Sequence, residues 1–206
     1  MKLIKKPVNT ISGKEYDKST YALYPGHLLA GAEPELVVKM YDSLLFQHPD
    51  TAIWLDEDFR RETWEELGKP TVIVTCPGKL EEIKTNFPDI PVKTIYDILI
   101  DWEISGGCFE KDCCIYEDDT TVDEQIKILA EDVGARIHET STEAENCSFL
   151  TSRISIRDKL RSEGEKAVHI LEIIYGFGTP DEVLTEEEKK QNRLALKQAL
   201  LDFYWS

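Results

Sequence analysis

The sequence predicts an α/β protein whose mainly parallel sheet lies in a three-layer, Rossmann-like sandwich with a helical C-terminal region. Two observations lead to this class. Short β-branched or apolar segments alternate with amphipathic helical segments, and Gly or Pro lies at most of the boundaries between the two kinds of segment. The strongest strand signal, Thr71–Cys76, is almost unbroken in its apolar and β-branched character, which is typical of a central parallel strand buried on both faces.

The remaining elements follow from the same patterns. Strands are expected at Thr51–Leu55, Thr71–Cys76, Cys113–Glu117 and Ala135–Thr140, all in one sheet. Helices are expected at Glu35–Phe46, Asp58–Leu67, Lys79–Phe87 and Val122–Val133. Residues 91–102 are ambiguous, although Ile95, Ile98, Leu99 and Trp102 support a helix, and no internal repeat is visible.

Three regions are expected along the chain. Residues 1–34 lack a strong period and contain several Pro and Gly residues, which predicts an irregular N-terminal arm with room for one short strand. Residues 35–150 form the α/β domain. Residues 151–206 are expected to be mainly helices packed on that same domain, and in the last of them Thr185 and Glu188 have capping-box spacing.

Composition limits the function classes. The chain has 206 residues, 41% hydrophobic and 31% charged, so it is long enough to bury a core. No apolar run reaches the roughly 20 residues of a membrane span, and no signal peptide is visible, so we expect a cytoplasmic protein without membrane contact. The net charge of −16 disfavours direct nucleic-acid binding and leaves three interpretations open: solubility, a basic partner, or mimicry of a nucleic acid.

Five cysteines are present, at positions 76, 108, 113, 114 and 147. Cys113 and Cys114 are adjacent in a strand-like segment, so their side chains should point to opposite faces of the sheet. No C-x-x-C pair exists and the histidines are scattered, which disfavours zinc. We therefore expect buried thiols in a reducing compartment rather than a disulfide framework.

Acidic residues follow two of the expected strands. Asp56 and Asp58 form a D-x-D turn after Thr51–Leu55, and Asp118 with Asp119 follows Cys113–Glu117. Carboxylates at the carboxyl ends of parallel strands are suitable ligands for Mg²⁺. The same residues are also typical helix N-caps and first-turn acids, so a purely structural role stays open.

Two further residues have the chemistry to hold a phosphate. Thr75 ends the strongest strand, where a hydroxyl and free backbone N–H groups can bind an anion. Lys111 lies shortly before the 113–117 strand and could supply positive charge. Each of these two residues can equally be structural or a simple surface residue.

The order of a D-x-D, a strand ending in Thr75 and a strand ending in Asp118-Asp119 resembles the haloacid dehalogenase-like phosphatase superfamily. The resemblance covers about half of the chain, and the Gly134-Ala135-Arg136 turn is part of it. It implies Asp56 and Asp58 as catalytic and metal-binding residues, Asp118 and Asp119 as further Mg²⁺ ligands, Thr75 as the phosphate-binding hydroxyl and Lys111 as a charge stabiliser.

The chain departs from that family at its nucleophile motif. The family has D-x-D followed by Gly and Thr or Val, whereas Phe59, Arg60 and Arg61 follow Asp58 here. The D-x-D also resembles that of Toprim domains, but no upstream catalytic glutamate accompanies it. His138-Glu139-Thr140 is an H-x-T without the second copy that two-histidine phosphoesterases need, and His169 fits a structural role in an apolar segment.

Two functions remain open from the sequence. The first is a Mg²⁺-dependent phosphatase or nucleotidase, active or degenerate, that acts on a small phosphorylated compound. The second is a non-enzymatic acidic interaction protein of the inhibitor or immunity type, which covers a basic partner protein. For the second function, the expected contact surface is the acidic stretch Asp181, Glu182 and Glu186–Glu188.

Overall fold

The computed structural model describes residues 10–11, 18–103, 109–116, 122–138, 147–177 and 182–205. Its strands are β1 (Thr10–Ile11), β2 (Tyr21–Tyr24), β3 (Ala52–Trp54), β4 (Thr71–Val74), β5 (Val92–Thr94), β6 (Asp112–Ile115), β7 (Arg136–His138), β8 (Ser148–Thr151) and β9 (Ala167–His169). Its helices are α1 (Gly26–Ala32), α2 (Pro34–Gln47), α3 (Arg61–Glu66), α4 (Pro77–Asn86), α5 (Ile95–Asp101), α6 (Asp123–Asp132), α7 (Ile154–Ser162), α8 (Ile170–Ile174) and α9 (Glu186–Trp205).

The chain divides into two compact units. Unit 1 comprises residues 1–93 and 186–206, and unit 2 comprises residues 94–185. This division differs from the expected boundaries at residues 34 and 150. The described part of the expected arm contains β2 and α1, and the expected C-terminal helices are shared between the units, with α7 and α8 in unit 2 and α9 in unit 1.

The α/β class with mainly parallel strands is confirmed. The strand order is β1-β3-β2-β4-β5 in the first sheet and β7-β6-β8-β9 in the second, and apart from the antiparallel β1 the strands run parallel. The expectation of one sheet is wrong, because β3 and β4 lie in the first sheet whereas β6 and β7 lie in the second. A period-2 pattern identifies a strand but carries no information about its hydrogen-bonding partner.

The two sheets share one winding order, so the chain contains a structural repeat that its sequence does not reveal. In each sheet the first parallel strand (β2 or β6) pairs with the second on one side and with the third on the other. The fourth strand then leads directly into a short helix with a capping box, Thr94 with Asp97 after β5 and His169 with Glu172 after β9.

The first sheet is buried on both faces, as the apolar character of β4 predicts. Alternate residues of β2, β3 and β4 pack with aromatic and aliphatic side chains from α3, α4 and the loops beside them. The intervening residues Leu23, Ile53 and Ile73 are also fully buried. Helices on both sides are therefore required to exclude water from this sheet.

Helix α9 packs closely against α1, and Gly31 makes the close approach possible. A Cβ atom at Gly31 would lie 2.7 Å from Nη1 of Arg193 and 2.9 Å from Cβ of Lys189. The side-chain amide of Asn192 donates a hydrogen bond to the Gly31 carbonyl at 2.9 Å. The missing side chain thus lets the last helix complete unit 1.

Unit 2 contains a buried network of charged side chains between α7 and the β9–α8 junction. Glu172 pairs with Arg157 and, at 3.5 Å, with Arg161, and it accepts a hydrogen bond from the His169 backbone N–H at 2.8 Å. Arg157 also donates to Asp158 at 2.8 Å, and Nε of Arg161 donates to a backbone carbonyl. These charges are stable in the interior because they are paired and hydrogen-bonded.

We expect Glu172→Gln to lower the free energy of unfolding by about 3–5 kcal/mol, because it leaves two buried guanidinium groups without their shared carboxylate. Glu165→Gln is the matched control, since Glu165 is exposed in the turn before β9, and it should change the free energy by less than about 0.5 kcal/mol. Urea unfolding followed by circular dichroism measures both values. Equal midpoints for the two variants would contradict a stabilising role of the network.

Candidate functional site

Three residues of the predicted catalytic site, Asp56, Asp58 and Thr75, follow β3 and β4 in unit 1. They lie beside the carboxyl end of β2, the strand between these two. Parallel α/β sheets bind ligands at the point where the winding changes direction, which here lies between β2 and β4. At this point the Thr75 hydroxyl donates a hydrogen bond of 2.7 Å to the Pro25 carbonyl, and Thr75 is buried. The hydroxyl expected to bind phosphate therefore ties the ends of two adjacent strands together.

The two aspartates of the D-x-D turn have different environments. Asp56 is buried, pairs with the guanidinium of Arg60 and accepts a hydrogen bond from Nε1 of Trp54 at 3.2 Å. Asp58 is exposed. The Asp56 carboxylate thus holds the loop between β3 and α3, an internal role that accounts for its burial.

Tyr24 at the end of β2 is part of the same loop structure. Its hydroxyl donates to the Glu57 carbonyl at 2.7 Å. Burial, reinforced by the negative charges of Glu82, Asp58 and Asp56, raises the pKa of Tyr24 far above its usual value. The phenol therefore stays protonated and acts as a hydrogen-bond donor.

The other residues expected in the phosphatase site belong to unit 2. Lys111 is exposed there, with its ammonium group 5.3 Å from the ring centroid of Phe109. Asp118 and Asp119 lie outside the described residues. Within the described residues, no group of three or more His, Cys, Asp or Glu side chains is arranged to hold a metal ion. The Mg²⁺ site and the phosphatase activity stay predictions.

A second polar cluster joins β7, the edge strand of the second sheet, to its neighbour β6. Asp112 on β6 accepts two hydrogen bonds of 2.9 Å from Arg136 and one contact of 2.7 Å from Nε2 of His138, both on β7. These partners, Arg136 first, hold the pKa of Asp112 well below its usual range. Cys114, two residues after Asp112 on β6, is joined by a disulfide to Cys147.

The disulfide corrects the expectation that the cysteines are free thiols. Pairing of β6 with β8 brings Cys114 near Cys147, which immediately precedes β8, and their Cα atoms are 6.2 Å apart. Cys113 is a buried free thiol, consistent with the expected opposite orientation of the two adjacent side chains. Residues 33 positions apart give no local signal of such a bond.

His169 is fully committed to the fold, as the sequence predicts. Its Nδ1 accepts a hydrogen bond from the Leu171 N–H at 3.2 Å, so Nε2 carries the proton and donates to the Ser152 carbonyl at 2.9 Å. Burial lowers the pKa of His169 to about 4. Neither ring nitrogen is available for catalysis.

The acidic residues are unevenly distributed between the units. In unit 2, 21 acidic residues stand against 8 basic ones, for a net charge of −13, whereas in unit 1 19 acidic residues stand against 16 basic ones, for −3. Of the expected contact surface, Glu186–Glu188 at the start of α9 belong to unit 1, whereas Asp181 and Glu182 belong to unit 2. Glu186 pairs with Lys189 and Glu187 with Lys190. Asp181 lies outside the described residues.

An apolar groove with an acidic rim lies between α5 and α6 in unit 2. It has a volume of about 430 Å³ and is lined by Leu99, Ile100, Glu103, Ile128, Leu129, Glu131 and Asp132. Ile128 is 46% exposed although it is large and apolar. Among the described residues, none supplies a hydrogen-bond or ion-pair partner to the side chains of Glu103, Glu131 and Asp132.

The groove was not predicted from the sequence. Its apolar floor comes from the amphipathic pattern of α6, in which Ile128 is one exposed position beside the buried Leu129, and only the packing of α5 beside α6 makes a groove of it.

No protein-family model, no curated protein and no solved structure matches this chain. No helix among the described residues is long and apolar enough to cross a membrane.

We expect Asp56→Asn to lower the free energy of unfolding by about 1–2 kcal/mol, because it weakens the charge-assisted bond with the half-exposed Arg60 and the bond with Trp54. Asp58→Asn is the matched control and should cost less than about 0.5 kcal/mol. The measurement is urea unfolding with and without Mg²⁺. A Mg²⁺-dependent rise in the urea midpoint that both substitutions remove would contradict the structural role of Asp56 and support the phosphatase prediction.

Stability should also fall as the pH is lowered from about 6.5 to 4. In this window the unfolded chain binds a proton at residue 169, whereas the folded chain keeps His169 neutral, so acidification favours unfolding by up to about 3 kcal/mol. His169→Gln should flatten this part of the stability curve. A wild-type slope in the His169 variant would show that another group causes the loss.

Proposed function

We propose that this protein is a non-enzymatic binding protein that takes a basic, amphipathic protein segment into the groove between α5 and α6. The observation that carries the proposal is the combination, in one groove, of an apolar floor and a rim of three solvated carboxylates. An apolar side chain flanked by Lys or Arg is complementary to both features. Short amphipathic helices commonly bind to their partners in such grooves.

The electrostatics favour a basic partner. Unit 2 has a net charge of −13, so its surface attracts cations over a distance set by the Debye length, about 8 Å at physiological salt. Glu103, Glu131 and Asp132 have no partner among the described residues, so binding would not first have to break internal ion pairs. The same charge repels nucleic-acid phosphates and anionic lipids.

The floor supplies affinity that charge alone does not. Surface ion pairs contribute only about 0–1 kcal/mol each, whereas burial of one leucine-sized side chain contributes about 1.5–3 kcal/mol. Ile128 and the partly buried Ile100 offer apolar surface to such a side chain. The rim would then set the rate of association and the choice of partner, and the floor would slow dissociation.

A synthetic peptide tests this proposal. Its length is about 12 residues, with leucines at i and i+4 on one helical face and arginines beside them. We expect it to bind the full chain, and we expect the triple variant Glu103→Gln, Glu131→Gln, Asp132→Asn to bind about tenfold more weakly, with a smaller dependence on salt. Isothermal titration at two salt concentrations measures both effects.

Matched controls separate the groove from general charge. The triple variant Glu65→Gln, Glu66→Gln, Glu81→Gln neutralises three exposed carboxylates of unit 1 and should bind the peptide as the wild type does. Ile128→Ser should weaken binding roughly tenfold, whereas Leu194→Ser, at a comparably exposed apolar position on α9, should not. Equal weakening by both triple variants would contradict a groove-specific site and leave the charge as a solubility feature.

A further inference from the structure

The disulfide of unit 2 joins a buried cysteine, Cys114, to a partly exposed one, Cys147. Cys114 lies within β6 and is buried, whereas Cys147 directly precedes β8 and is partly exposed. Their bond joins two neighbouring parallel strands. A thiol approaching from solvent would therefore reach the sulfur of Cys147 more easily than that of Cys114.

An imidazole stands beside the buried cysteine. Cys114 on β6 is in register with His138 on β7, and in-register residues of neighbouring strands lie about 4.8 Å apart with their side chains on the same face. Nε2 of His138 lies 2.7 Å from a carboxylate oxygen of Asp112, which makes Nε2 the donor and leaves Nδ1 as the acceptor of the neutral ring. Arg136 holds the same carboxylate with two hydrogen bonds of 2.9 Å, which fixes its orientation.

This order of carboxylate, imidazole and sulfur has a chemical consequence. In enzymes with an activated thiol, a carboxylate orients a histidine, and the histidine takes a proton from the sulfur or returns one to it. In thiol–disulfide exchange the departing group is a thiolate, and a proton donor beside it makes it a better leaving group. The arrangement around Cys114 supplies that group on the strand next to it.

We propose that Cys114 and Cys147 are a reversible redox pair that exchanges with thiols of the glutathione class, with Cys147 as the attacked sulfur and His138 as the proton carrier for Cys114. This site is independent of the groove between α5 and α6. The third described cysteine of this sheet, Cys113, takes no part, because its side chain lies on the opposite face and burial, together with the charge of Asp112, raises its pKa to about 11.

The exchange balances in two steps. A low-molecular-weight thiol loses its proton to solvent and attacks Sγ of Cys147, a mixed disulfide forms, and the bond between Cys147 and Cys114 breaks with its electron pair on Cys114. Nδ1 of His138 takes up a proton from solvent and passes it to the Cys114 thiolate. A second thiol then attacks the mixed disulfide, so that Cys147 leaves as a thiol. Two thiols are oxidised to one low-molecular-weight disulfide, and the protein disulfide is reduced to two thiols.

The test is the rate at which dithiothreitol reduces the disulfide of the folded full chain, followed by alkylation and mass mapping of Cys114 and Cys147. We expect the rate to rise in proportion to the dithiothreitol concentration, and His138→Gln to lower it about tenfold while reduction in denaturant stays unchanged. Gln can still donate a hydrogen bond to Asp112, so the variant keeps that contact. Ile137→Val is the matched control on β7, because the Ile137 side chain lies on the opposite face of the strand from His138, and it should change the rate far less.

A second readout does not depend on His138. In the Cys114→Ser variant, oxidised glutathione should form a mixed disulfide at Cys147 and leave Cys113 unmodified. Two results would overturn the proposal: a reduction rate in the wild type that becomes independent of dithiothreitol concentration, which indicates that the fold must open first, or a His138→Gln rate equal to that of the wild type.

Discussion

The structure depends on one constraint, which is that parallel strands buried on both faces need helices on both sides. Both sheets satisfy this constraint with the same strand order, in which the first parallel strand lies between the second and the third. The strand pair at the change of direction is β2–β4 in one sheet and β6–β8 in the other. A hydrogen bond from Thr75 to Pro25 ties the first pair, and the disulfide of Cys114 with Cys147 ties the second.

Much of the fold could be predicted from local patterns, because they reflect local physics. The β-branched segment of β4 and the apolar faces of α2 and α6 depend on backbone preference and on which side of an element meets water. The three-residue strand β9 lies in a region for which the sequence predicts mainly helices, since so short an apolar run fits either a helix or a strand. Which sheet a strand joins depends on distant residues, so the division into two sheets could not be predicted.

The candidate site was less predictable, because the same side chain serves structure or chemistry according to what surrounds it. The D-x-D pattern correctly indicates acids after β3, but it does not reveal that Trp54 and Arg60 hold Asp56 in a buried internal contact. Likewise, total charge does not reveal that unit 2 carries most of it. The groove combines an exposed face of α6 with the end of α5, a relation that only the packed structure contains.

The central claim is therefore that binding takes place at helices α5 and α6, and that the carboxyl ends of β2, β3 and β4 are structural. Methyl NMR of the full chain, titrated with the basic amphipathic peptide, tests this claim most directly. The account predicts that the shifts concentrate at Leu99, Ile100, Ile128 and Leu129. Shifts concentrated at the residues around Thr75, or spread evenly over both units, would contradict it.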